Sequence, residues 1–293
     1  MNTILTLSSF VFPLITFPYV SRILLPEGTG RVSFATSVVT YFLLLSQLGI
    51  PTYGIRACAR VRDDRKALSC VVHELLAINL LMSVLAYLLL GGCVFLIPKL
   101  RVEKTLIFVI SFTIILNAIG MEWLYKALEQ YTYITIRSVI FKAIAVIAML
   151  LMVRQKSDYI VYGALTIFAA SASNICNFVH AHKYIDFFLK EKCDLKKHLK
   201  PVLVFFAMSC ATVIYTNLDT VMLGLMKGNV DVGYYNAAVK IKGILLGVVT
   251  ALGTVMLPRL SYYVEHGEQK KFGRLTRKAM NFVILLATPL MIY

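Results

Sequence analysis

Three lysines interrupt the apolar runs of this chain: Lys142, Lys240 and Lys242. At the rise of a helix, Lys142 lies about 16 Å into its run. Lys240 and Lys242 also fall roughly half-way through theirs, at about the same rise per residue. An ionisable group at such a depth in lipid is costly and is a functional candidate by default. A fixed ammonium there suits an anion such as a phosphate, which lysine binds as a point charge without arginine's bidentate fork. Lys240 and Lys242 stand two residues apart, so a helix turns them to nearly opposite sides and they cannot face one lumen equally. The bland alternative for each is a side chain that snorkels to the interface.

Two arginines and three acids complete the set of chemically able residues. Arg22 ends the first apolar run, the place of an interfacial anchor. Arg56 ends the second run and reads first as an ordinary loop charge. Asp219 and Glu122 are the acids placed to join a proton or cation relay. Glu122 stands four residues before Lys126, the spacing of a helix ion pair, so Asp219 is the better candidate. Glu74 reads as an acid at a helix start, held by the helix dipole. The six cysteines (Cys58, Cys70, Cys93, Cys176, Cys193 and Cys210) form no CxxC pair and read as small buried hydrophobes. The five histidines show no HExxH spacing. Neither a metal site nor a cofactor is expected, and no Walker A sequence is present to hydrolyse ATP.

The elements that position these residues must be membrane helices. Of the 293 residues 59% are hydrophobic and only 15% charged. Uncharged runs cover residues 1–21, 32–55, 75–98, 105–121, 159–182, 201–218, 243–258 and 279–293, and a further span over 131–153 contains Lys142. A helix of about 20 apolar residues spans the hydrocarbon layer. Lipid offers the backbone no partners, so such runs are helical, whereas a β-barrel would show short alternating segments. The predicted class is therefore all-α and polytopic. The net charge of +15 could suit a nucleic-acid partner, but basic loops flanking spans explain it better, and no nucleic acid is expected.

Lysine and arginine crowd into alternate loops: 56–66, 126–137, 183–200 and 259–278. By the positive-inside rule these face the cytoplasm, as does the N-terminus. The other loops are short, which argues against an external catalytic loop and so against an enzyme. The basic stretch 183–200 reads as a linker between a six-helix bundle, 1–182, and the start of a second bundle, 201–293. The last run has 15 residues, fewer than a span needs, so the second bundle is expected to be cut short. A faint repeat joins the halves: Gly30 and Pro51 bracket one run, Gly233 and Pro258 another, as expected of parallel transporter repeats. Pro13 and Pro18 are expected to kink the first helix.

Four segments carry a resemblance. They are FPLITFPYVSRILLPEGTGRVSFATSVVTYF (12–42), LGIPTYGIRACARVRDD (48–64), GMEWLYKALEQYTYITIRSVIFK (120–142) and NLDTVMLGLMKGNVDVGYYNAAVKI (217–241). In this order they resemble the polysaccharide transport flippases, in the superfamily that also holds multidrug and toxic compound extrusion antiporters. The resemblance implies two six-helix bundles around a central cavity. It implies movement of undecaprenyl-pyrophosphate-linked O-antigen, capsule or exopolysaccharide units across the bacterial cytoplasmic membrane by alternating access. A polysaccharide polymerase and a chain-length regulator are the partners it implies. Lys142, Lys240, Lys242, Arg22 and Arg56 would then face the diphosphate, with Asp219 and Glu122 coupling an ion. The rival readings are a cation-coupled drug antiporter of the same superfamily and a membrane-embedded glycan polymerase or ligase component.

Overall fold

A computed structural model describes residues 2–186, 194–265 and 267–292. All the regular elements in them are helices. The chain is an all-α polytopic membrane protein. Among the described residues five helical stretches are long and apolar enough to cross a bilayer: Ile15–Ala59, Arg65–Leu96, Tyr131–Met152, Lys156–Lys183 and Lys196–Met226. Lys104–Gly120 is a shorter apolar helix. Residues 187–193 of the predicted linker, with Lys190, Lys192 and Cys193, lie outside the described residues.

Two compact units are present, Ile15–Ala237 and a second built from Met1–Leu14 and Ala238–Tyr293. The first unit opens in α1 (Asn2–Gln47), whose one non-helical residue is Leu25 at φ 58, ψ 177. Pro26 follows, and a residue before proline is driven out of the α region. The break in α1 therefore falls at Leu25 rather than at Pro13 or Pro18, and the chain between the first two apolar runs is otherwise helical. After the left-handed Gly49, α2 (Ile50–Ala59) restarts with Pro51 in its first turn. Asp64 caps α3 (Arg65–Leu96), its side chain accepting from the amides of Lys66 and Ala67.

A short α4 (Pro98–Val102) leads to α5 (Lys104–Gly120), α6 (Glu122–Ala127) and α7 (Tyr131–Met152). Next come α8 (Tyr159–Ile167), one π-helical turn (Phe168–Ala172) and α9 (Ser173–His180). α10 (Lys196–Met226) and the start of α11 (Asn229–Glu265) close the first unit. In the second unit α11 continues, and α12 (Gln269–Ile292) follows, with Lys271 bonded to Glu268 at 2.8 Å.

Helices in lipid gain little from hydrophobic attraction to one another and associate through close packing and interhelical hydrogen bonds. Both are present. Ser46 meets Ser83 at 2.7 Å between α1 and α3, and Asn177 donates to the Gly120 carbonyl at 2.8 Å between α9 and α5. The outward faces of α3 and α7 carry Leu81, Leu88, Ile147 and Leu151, all exposed as lipid-facing residues should be.

The closest backbone approaches involve glycine. A Cβ on Gly30 would collide with the Asn229 carbonyl, and one on Gly233 with the Pro26 carbonyl. The two glycines with matching sequence surroundings thus lie in one reciprocal crossing of α1 with α11. Overpacking typically costs about 1–3 kcal/mol, so Gly30→Val or Gly233→Val should lower the unfolding free energy in detergent by an amount of that order, read as a lower midpoint. Gly92→Ala is the control, since nothing stands within 4 Å of its Cβ and its midpoint should not move by that mechanism.

Candidate functional site

Between α1 and α10 the first unit holds a cleft with polar and apolar side chains in its wall. The two helices run antiparallel and touch at both ends. At one end a Cβ on Gly49 would stand 2.5 Å from the Phe206 amide nitrogen, and Gly49 also has a φ of 77°. At the other end Gly224 lies against the buried ring of Phe34. Phe34 and Gly49 are 15 residues apart, so the contacts are separated by about 22 Å. Next to the Gly49 contact lies a cavity of about 300 Å³, lined by Leu43, Leu44 and Val213 as well as by Thr40, Gln47, Ser209 and Thr212. The hydroxyls of Thr40, Ser209 and Thr212 each donate to a carbonyl of their own helix, so their oxygens remain as acceptors in a wall they share with Leu43, Leu44 and Val213.

Arg56 borders the Gly49 end. It is exposed on α2, and its guanidinium carbon lies 5.0 Å above the Phe205 ring of α10. Ser209 follows Phe205 by one turn, so cation and aromatic face adjoin the polar lining. Asp219 lies nearer the Gly224 end, accepting the Tyr235 hydroxyl at 2.6 Å. Arg22 is exposed on α1, three residues before the break at Leu25.

Lys142 is half-buried on α7 and belongs to another neighbourhood. Glu122 pairs with Lys126 at 2.9 Å, and its charge also reaches Lys142 and Arg137. Lys240, half-buried, and Lys242, exposed, sit on the part of α11 that belongs to the second unit. The first unit therefore brings Arg56 to the cleft and leaves Lys142 in the Glu122 cluster.

Two charged groups have roles that sequence reasoning missed. Glu74 is fully buried, in the third turn of α3 rather than at its start, because the helix begins at the Asp64 cap. Its carboxylate takes Lys197 Nζ and His198 Nε2, each at 2.7 Å, and the Asp194 amide at 2.8 Å. His198 Nδ1 meets the Tyr53 hydroxyl at 2.8 Å. With Nε2–H donating to Glu74, a neutral His198 accepts the Tyr53 proton at Nδ1 and every group in the chain is satisfied. This network ties α2 and α3 to the first turn of α10, beside Arg56. The usable signal was the Asp-Arg-Lys-Ala start, which places the acid well inside the helix.

Arg137 is the other. Read as a loop charge, it lies buried in α7, donating to the Ser173 carbonyl at 2.9 Å with its guanidinium 5.8 Å from the Tyr133 ring centre. The π-helical turn ends just before Ser173, and such turns are frequent at functional sites.

The opposite end of the bundle has its own clamp. Arg31 pairs with Glu27 at 2.8 Å and Glu103 at 3.6 Å, and Asn229 donates to Glu103 at 3.2 Å. These bonds hold the Gly30 crossing from the side. The cleft therefore lies between two polar clamps, one built on Glu74 and one on Glu103.

Breaking a buried ion pair by removing one partner costs about 3–5 kcal/mol, so Glu74→Ala should destabilise the detergent-solubilised protein by roughly 3 kcal/mol. Tyr53→Phe should cost about 1 kcal/mol and be non-additive with Glu74→Gln in a double-mutant cycle of unfolding midpoints. Additive effects would show that the chain of bonds is not a unit.

The profile of the polysaccharide biosynthesis protein family matches residues 1–264. Two curated relatives share the name "Putative O-antigen transporter". One, from Escherichia coli (strain K12), is 22% identical over 260 residues, which are 87% of this chain and 62% of that protein. The other, from Shigella dysenteriae, is 26% identical over 257 residues, 87% of this chain and 64% of that protein. The chain thus spans less than two thirds of the length of either. No solved structure matches it.

Proposed function

This chain belongs to the polysaccharide biosynthesis protein family, and we propose that it is part of a flippase for undecaprenyl-pyrophosphate-linked oligosaccharide units, with the α1–α10 cleft as part of the route. The carrying observation is the cavity between α1 and α10 with four polar side chains in its wall, and Arg56 over Phe205 one helical turn from Ser209 of that wall. A lipid-linked diphosphate needs a fixed cation and a water-accessible wall, while its prenyl tail stays in the bilayer. Arg56 supplies the cation and can bind two phosphate oxygens at once. The hydroxyls of Thr40, Ser209 and Thr212 and the amide of Gln47 suit sugar hydroxyls, and the Phe205 ring offers a stacking face.

Alternating access by rocking of two helical bundles fits this arrangement. In this reading 1–182 forms the first bundle, 183–200 the connection, and 201–293 the beginning of the second. The Glu74 clamp holds the start of α10 to α2 and α3, and the Glu103 clamp holds the other end. Releasing one while the other stays closed would open the cleft to one side of the membrane. Lys142, Lys240, Lys242 and Arg22 are proposed as further cations along the path, and Asp219 and Glu122 as acids able to couple an ion. The N-terminus and the basic loops face the cytoplasm in this orientation, and the membrane is the bacterial inner membrane. Undecaprenyl-pyrophosphate-linked glycan is the substrate, and a polymerase with its chain-length regulator would take over the product.

A drug antiporter of the same superfamily would want carboxylates in the cleft for cationic cargo, and Asp219 is the observation in its favour. Arg56 has the opposite sign. Flipping of a fluorescent lipid-linked oligosaccharide by the full-length protein in proteoliposomes distinguishes the two. Losing a charged hydrogen bond of about 1.5–3 kcal/mol, Arg56→Ala should flip the lipid roughly tenfold or more slowly, with Arg56→Lys intermediate. Lys142→Ala should also slow flipping while membrane insertion stays normal. Undiminished flipping by Arg56→Ala would remove that residue from the mechanism, and export of cationic dyes by a protein that flips no glycolipid would favour the antiporter.

A further inference from the structure

A second cavity, of about 480 Å³, opens between α3 and α5, away from the α1–α10 cleft and with none of its lining residues. Its walls are apolar: Leu90, Gly91 and Val94 from α3, Ile107 and Phe108 from α5. Tyr87, which donates to the Ser111 carbonyl at 2.8 Å, joins the two helices at the deep end. Nothing stands within 4 Å of a Cβ on Gly91, so this glycine leaves the groove open instead of drawing two helices together.

Lys104 lines the shallow end, as the first residue of α5. It makes no ion pair among the described residues. Its basic neighbours are already engaged: Lys99 Nζ donates to the Leu225 carbonyl at 3.4 Å, and Arg101 bonds the Phe95 carbonyl and lies over the Phe95 ring. The adjacent acid, Glu103, is buried and committed to Arg31 and Asn229. The groove therefore has one uncommitted positive charge at its mouth. From Lys104 to Ser111 it extends about 10 Å along α5, from headgroup level into the hydrocarbon. α3 starts among the basic residues at Arg65, so this mouth is at the end of the bundle opposite the basic loops.

A cation at headgroup depth above an apolar channel that follows the membrane normal has the shape and charge of a phospholipid's counterpart. We propose that the α3–α5 groove binds an anionic phospholipid of the leaflet opposite the basic end, with the phosphate on Lys104 and one acyl chain along Gly91 and Val94. The occupant is a structural lipid rather than the transported one, because the groove lies apart from the cleft.

Native mass spectrometry of the full-length protein, released from nanodiscs of phosphatidylglycerol or of phosphatidylcholine, tests this. Wild type should retain a phosphatidylglycerol and release phosphatidylcholine. One lysine near an anionic lipid surface is worth about 1 kcal/mol, so Lys104→Gln should cut retention about fivefold. Gly91→Leu, which fills the channel but keeps the charge, should cut it as well. Lys227→Gln, the removal of an exposed lysine following α10, should leave it unchanged. Equal retention of the two lipids by wild type, or retention unmoved by Lys104→Gln or by Gly91→Leu, would overturn the proposal.

Discussion

Two membrane helices gain almost nothing from being apolar beside each other, so α10 can stay on α1 only where the backbones come close enough for dispersion and dipole contacts. Glycine supplies that closeness at Gly49, which meets the α10 backbone, while Gly224 makes room for the Phe34 ring, and the Gly30–Gly233 crossing does the same for α1 and α11. Between these points side chains larger than hydrogen hold the helices apart. The separation leaves room for the cavity beside Thr40, Gln47, Ser209 and Thr212. The contacts at Gly49 and Gly224 and the cavity beside Gly49 therefore arise from one packing arrangement.

Charge is handled in the same economical way. A carboxylate as buried as Glu74 is tolerated in a membrane helix only with its lone pairs filled, and Lys197, His198 and the Asp194 amide fill them. The result is a tie that reaches from α3 into the segment feeding α10. Glu103 serves the other end, bonded by Arg31 and Asn229. The Glu74 tie reaches α10, one wall of the cleft, and the Glu103 tie reaches α1, the other wall.

The membrane-spanning, helical nature of the chain was legible because long uncharged runs have one physical solution in lipid. Helix limits were less so. Marking a span by its nearest charge put Glu74 at a helix start, whereas α3 begins after Asp64, and Arg137 was counted with the loop charges although it lies inside the span that starts at Tyr131. A charge can enter a span when another helix brings its partner, and that partner is far away in sequence: His198 for Glu74, Ser173 for Arg137. The bend in α1 was misplaced because Pro13 and Pro18 fit inside the helix while Leu25 before Pro26 does not. Arg56 could be singled out from sequence, but nothing local to it predicts Phe205. The repeat that makes Gly30 and Gly233 equivalent does not predict that they meet; their crossing comes from the fold.

Passage of a polar headgroup through the cleft requires water to reach the space between α1 and α10. Single cysteines at Thr40, Gln47, Ser209 and Thr212, in a full-length protein stripped of its native cysteines, can be probed in sealed vesicles with a thiol reagent confined to water. Cysteines at the lipid-facing Leu81 and Leu88 of α3 give the baseline. Modification of the four cleft positions well above that baseline, and their protection by a lipid-linked oligosaccharide, is the predicted result. Cleft positions as unreactive as those on α3, with and without substrate, would contradict it.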